Sequence, residues 1–115
     1  MKDSIEVNFF KTEYGNEPVR EWLKSLDIEE RQIIGQDLKT VQFGWPIGMP
    51  FVKKIDQDIW ELRSVVANKQ ARVLFVLIDD IIFLLHGFVK KTNKIPKSDI
   101  ALANKRAFQL KESLK

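Results

Sequence analysis

Three apolar-rich runs, Ile59–Val66, Gln70–Ile78 and Ile81–Lys90, follow one another with almost nothing between them. The connections, Ala67-Asn68-Lys69 and Asp79-Asp80, are short enough for hairpins. An antiparallel meander in the second half of the chain is therefore the frame on which the rest must pack. Ile5-Glu6-Val7-Asn8-Phe9 alternates apolar with polar residues, the period of a half-buried strand.

Between these strands the pattern turns helical. Asn16 offers an N-cap, Pro18 sits in a first turn, and Val19, Trp22, Leu23 and Leu26 recur at helical spacing. Asp27 with Glu30 forms a capping-box pattern that opens a second helix through Ile33, Ile34, Leu38 and Val41. Two helices joined this tightly are expected to pack as an antiparallel hairpin. Gly44, Pro46, Gly48 and Pro50 end the second helix and make a loop that leads into Lys53 and Lys54. Pro96 and Ser98 announce a last helix, with Ile100, Ala103, Ala107, Leu110 and Leu114 as its apolar stripe. The expected order is β-α-α-β-β-β-α. This is an α+β fold: a small antiparallel sheet with an N-terminal helical hairpin and a C-terminal helix. A length of 115 residues suits a single domain spanning residues 1–115.

Charge is unevenly placed. Residues 1–50 hold 6 Lys/Arg against 9 Asp/Glu, a net −3, whereas residues 51–115 hold 13 against 7, a net +6. A basic half of this kind suits a polyanion. With 44% hydrophobic and 30% charged residues, the composition is that of an ordinary globular chain. There is no cysteine, which rules out disulfides, thiolate metal sites and cysteine nucleophiles. Met1 to Phe10 carries Lys2, Asp3 and Glu6 and lacks an apolar run of signal-peptide length, so a cytoplasmic location is expected. One histidine and scattered carboxylates offer no metal-ligand spacing. The glycines of the 44–48 loop lack the Lys-Ser/Thr ending of a phosphate loop, and no cofactor is expected.

The element order, taken with Ile59-Trp60-Glu61-Leu62-Arg63, Ala71-Arg72-Val73-Leu74-Phe75, the run from Leu84-Leu85-His86-Gly87-Phe88 through Lys94-Ile95-Pro96, then Asp99-Ile100-Ala101-Leu102-Ala103 and Arg106, resembles the RelE/ParE toxin superfamily. The likeness is greatest to its phage-derived, HigB-like branch and extends from about Phe9 onward. It implies the toxin of a type II toxin–antitoxin system, an endoribonuclease (mRNA interferase) that inhibits translation by cleaving mRNA, usually on the ribosome. It also implies a cognate antitoxin protein as partner.

Cutting RNA without a metal requires a base for the ribose 2′-OH, cations for the transition state and a proton for the leaving 5′-oxygen. Arginine grips phosphate through its planar fork but stays protonated. The base is therefore His86 or a lysine whose pKa is lowered by cationic neighbours. Pairing Ile78 with Ile81 and Val66 with Ala71 places Arg72 opposite Gly87 and Arg63 opposite Leu74. Glu61, Arg63, Arg72 and Lys91 then share one face, with Trp60, Leu62, Val73, Phe75, Leu84 and Phe88 on the other. The same count sends His86 to the apolar set, and a one-residue bulge would bring it back. Arg63, Arg72, His86 and Lys91 are thus the catalytic candidates. Lys53, Lys54, Lys90 and Lys94 are candidates for contact with RNA phosphates or the ribosome. Trp60 reads as core, and Trp45 suits either core or base stacking. Two binding-only readings compete: a ParE-like toxin that inhibits DNA gyrase, and a phage inhibitor of a host protein. The antitoxin is expected to cover or distort the basic face.

Overall fold

The chain runs β1 (Glu6–Phe9), α1 (Pro18–Lys24), α2 (Ile28–Gly44), β2 (Val52–Lys54), β3 (Trp60–Val66), β4 (Lys69–Ile78), β5 (Ile81–Lys90) and α3 (Lys97–Ser113). It is seen here in a computed structural model that describes residues 4–115. Lys2 and Asp3, read above in the N-terminal stretch, lie outside the described residues.

Two turns set the register of the sheet. Ala67 and Asn68 have φ of 48° and 66°, and Asp79 and Asp80 have φ of 51° and 62°. Paired left-handed residues make the two-residue hairpin whose twist matches the strands it joins. The Asp79-Asp80 turn is as expected. The first turn is tighter than expected: Val66 pairs with Lys69 and Arg63 with Arg72. The register moves by two residues, so every side chain keeps its face.

The sheet has five strands in the order β1-β5-β4-β3-β2. It is mixed rather than wholly antiparallel, because β1 runs parallel to β5, with Glu6 beside Ile81 and Phe9 beside Leu84. The segment read as a loop leading into lysines is an edge strand, β2, pairing Val52 with Leu62 and Lys54 with Trp60. Three residues are too few to display a period. These corrections leave the α+β order intact, and the whole is consistent with a small RelE-like fold.

Both sheet faces are packed. Val19, Ile34 and Val41 of α1 and α2 meet Leu62, Val73, Phe75, Ile82 and Leu84. The expected helical hairpin is loose: α1 rests on β5 and α2 on β3, with few close approaches between the helices themselves. The Asp27 N–H donates to Glu30 Oε1 at 3.2 Å, one half of the capping box that starts α2. Gln42 clasps Ile5, its carbonyl accepting from Ile5 N and its Nε2 donating to Ile5 O, both at 3.0 Å. On the other face, Ala103, Ala107 and Leu110 of α3 meet Leu74, Val76 and Leu85. Asn104 to Asp56 (2.9 Å) and Lys111 to Asp58 (2.7 Å) tie α3 to the loop before β3.

One irregularity matters most. Moving along β4 from Leu74 to Phe75, the partner on β5 jumps from His86 to Leu84, which leaves Leu85 as the extra residue of a bulge. The Leu85 carbonyl accepts from Arg106 Nη1 of α3 at 2.8 Å. Beyond the bulge the facing of β5 is reversed. Gly87 then points at α1, where an added Cβ would stand 2.2 Å from the Trp22 ring.

Candidate functional site

Strand register stacks three rows of side chains on the face that α3 only partly covers. Lys53, Glu61, Leu74 and His86 lie in the first, one from each of four neighbouring strands. Arg63, Arg72 and Phe88 form the second, and Val65, Gln70 and Lys90 the third. Directly opposed residues share a face, and successive rows stand about 7 Å apart.

The centre is one carboxylate between two guanidiniums. Glu61 and Arg72 are almost fully buried, at 3% and 2% exposure. Arg72 Nε lies 3.1 Å from Glu61 Oε2, an ion pair in which the N–H is not aligned as a hydrogen bond. Its Nη atoms donate to Ala71 O at 2.9 Å and to Gln70 Oε1 at 3.1 Å. Burial lowers the Arg72 pKa below the ordinary arginine value; Glu61 opposes this and neighbouring Arg63 adds to it. Arg72 nonetheless remains a cation. Arg63 Nε stands 3.8 Å from Glu61 Oε1, and Arg63 Nη1 donates to Met49 Sδ at 3.4 Å. The Arg63 side chain is 31% exposed, so it is the guanidinium that can reach a ligand. Two cations against one anion leave a net positive charge on the accessible member.

His86 sits at the end of the first row. Its Nε2 is 2.6 Å from Asp99 Oδ1, and its ring stacks on Phe88 with centroids 5.2 Å apart and planes 20° from parallel. The bulge at Leu85 places both rings here, correcting the straight-strand count that put them on the apolar face.

Arg63, Arg72 and His86 are therefore brought together with Lys53 and Lys90. Lys91 is not among them, since β5 ends at Lys90 and Lys91 is exposed in the connection beyond it. The bulge also exchanges parity, so Lys90 takes the facing expected of Lys91. Lys94 lies in the same exposed connection. Lys54 pairs with Trp60 on the opposite face and sits 5.4 Å from the centroid of that ring. Trp45 packs edge-on against Trp60 and Phe75, with centroids 5.3 and 5.8 Å apart, which places it in the core.

Sequence reasoning missed Asp99 and Arg106 as partners of the site. Both flank the apolar stripe of α3 two turns apart, a spacing that aims them at the same strand once the helix is placed. A hollow of about 440 Å³ opens at the rim, where Arg63 and Gln70 meet Pro50, Phe51 and Asp37. A hollow of about 650 Å³ between the 10–14 segment and the end of α3 is remote from these cations. The charged face is open rather than enclosed, which suits a strand of nucleic acid better than a small molecule. Among the described residues, no three His, Asp or Glu side chains gather as metal ligands, and no helix is long and apolar enough to cross a membrane.

Comparison with known families decides the relationship. Residues 21–107, from within α1 to within α3, match the family described as phage-derived, Gp49-like protein. The chain belongs to that family. The match spans every strand of the charged face and both α3 partners of β5. No curated protein matches the chain.

Proposed function

We propose that this Gp49-like protein is the toxin of a toxin–antitoxin pair, of the HigB-like branch of the RelE/ParE superfamily, and that it cleaves mRNA on the translating ribosome. The observation that carries the reading is the accessible Arg63 held beside a buried Glu61–Arg72 pair, with Lys53, Lys90 and His86 on the same face. In this reading the 2′-oxygen attacks phosphorus, its proton passes to a basic nitrogen, and the P–O5′ bond breaks. The 5′-oxygen leaves with a proton drawn from an acid or from water, so the products are a 2′,3′-cyclic phosphate and a 5′-hydroxyl. Arg63 neutralises the phosphorane-like charge. Arg72 acts through Glu61 to fix where Arg63 stands. Lys53 and Lys90 hold flanking phosphates, while Lys54, Lys91 and Lys94 meet RNA or the ribosome further out. The antitoxin, itself a proposed partner, covers this basic face.

The test is induction of the wild type and of Arg63→Ala in cells, with mapping of mRNA 5′ ends. The expected result is growth arrest with new ends inside translated frames for the wild type, and cleavage lower by on the order of 10²-fold for the variant. Arrest without new ends would overturn the nuclease reading and direct attention to a gyrase assay.

A further inference from the structure

We propose that Asp99 is a positioning residue. Its carboxylate takes the Nε2–H of His86 and leaves Nδ1 as the ring nitrogen that exchanges a proton with the substrate. The proposal rests on the ribonuclease reading above and names how one of its groups is prepared.

The argument begins with the 2.6 Å separation of His86 Nε2 and Asp99 Oδ1. An ionised carboxylate can only accept, so the proton between these atoms sits on the ring, and the neutral imidazole is held as the Nε2–H tautomer. Nδ1 then carries the lone pair. The ring plane is fixed independently by Phe88, stacked 5.2 Å away. His86 and Asp99 side chains are 15% and 22% exposed, so the pair is largely withdrawn from water without being sealed. A base whose orientation is set by a third group is the arrangement that proton-transfer chemistry needs.

The carboxylate belongs to α3 and the ring to β5, so the pairing depends on how α3 is placed. Arg106, two turns after Asp99, donates to the carbonyl of Leu85, the bulged residue immediately before His86. One helix thus holds both the distortion that turns His86 toward the cations and the proton acceptor that selects its tautomer. A purely structural tether predicts something different, because α3 keeps other anchors: Arg106, Asn104, Lys111 and the buried Ala103, Ala107 and Leu110. Removing the Asp99 charge should therefore spare the fold and alter the ring.

The experiment uses the full chain and two readouts. His86 is the only histidine, so nitrogen-15 labelling of histidine gives one imidazole whose tautomer is read directly by NMR. The expected result is the Nε2–H form in the wild type and loss of that preference in Asp99→Asn, with an unchanged urea midpoint. The second readout is the pH–rate profile for mRNA cleavage in a reconstituted translation reaction. There Asp99→Asn lowers kcat by on the order of 10²-fold and changes the shape of the profile, while Asp99→Glu recovers part of the rate. An active wild type with Asp99→Asn matching it in kcat and profile overturns the proposal and leaves the ribonuclease reading standing. So does an Nδ1–H tautomer in the wild type. A wild type that cuts no RNA overturns the ribonuclease reading instead, and the tautomer then decides separately whether Asp99 sets the ring.

Discussion

The two faces of this sheet are built on opposite plans. Under α1 and α2 the strands present Leu62, Val73, Phe75 and Leu84, apolar and buried. Under α3 only part of the face is apolar, and the remainder holds a carboxylate, two guanidiniums and an imidazole. Apolar burial stabilises the fold at roughly 25 cal/mol per Å² of surface removed from water. A buried ion pair contributes little net stability, since desolvation of both charges offsets their attraction. Glu61 and Arg72 are thus poor means of holding a sheet together and good means of fixing a neighbouring charge. One face is given over to apolar burial, whereas the other combines apolar burial under α3 with a charged cluster.

That division can be broken by experiment. Phe75→Ala, on the apolar face, should cost about 3–5 kcal/mol in urea unfolding. It should leave the activity per folded molecule unchanged, and a specific loss of activity would blur the division. Glu61→Gln should cost about 3–5 kcal/mol, because buried Arg72 loses its countercharge. Its larger effect should fall on RNA cleavage, and a variant with full cleavage would remove Glu61 from the site's design. Gly87→Ala tests the seam between the faces. It forces Trp22 and α1 off β5 at a cost of about 1–3 kcal/mol, visible as a lower thermal midpoint and altered tryptophan fluorescence.

The smallest effect concerns a link outside both plans. The Glu30 pKa is lowered from 4.5, chiefly by the hydrogen bond from Lys69 that joins α2 to the β3–β4 turn at 3.1 Å. A depressed folded-state pKa gives stability that is present above the unfolded value and lost as pH falls through the folded one. Glu30→Gln should therefore narrow the difference in urea midpoint between about pH 6 and about pH 3. An equal difference in both proteins would show that the link contributes nothing.

Most of the fold was legible in the sequence because its strands are long and its turns short. The spans of β4 and β5 were read to within a residue. The shortened first turn did no harm, since a slip of two preserves facing. Three features were hidden. β2 is too short for periodicity, and the parallel pairing of β1 with β5 is a long-range contact that no local pattern reports. The bulge at Leu85 meets Arg106 of α3, a partner from another part of the chain that no local pattern on β5 reports. That one hidden residue decided the facing of His86, Phe88 and Lys90. The arginines were legible because they precede it on strands of regular pleat.

The parallel pairing of β1 with β5 also orders events in time. β1 is made first, yet Glu6 finds its neighbour only at Ile81, after both helices and three further strands. Contacts that close so long a loop come late, whereas the β3–β4–β5 meander closes two-residue turns and forms early. Val7→Ala should accordingly speed unfolding and leave the folding rate almost unchanged in stopped-flow measurements; a slowed folding limb would place β1 in the nucleus instead. A chain emerging from the ribosome thus assembles its arginine-bearing strands before β1 docks on β5.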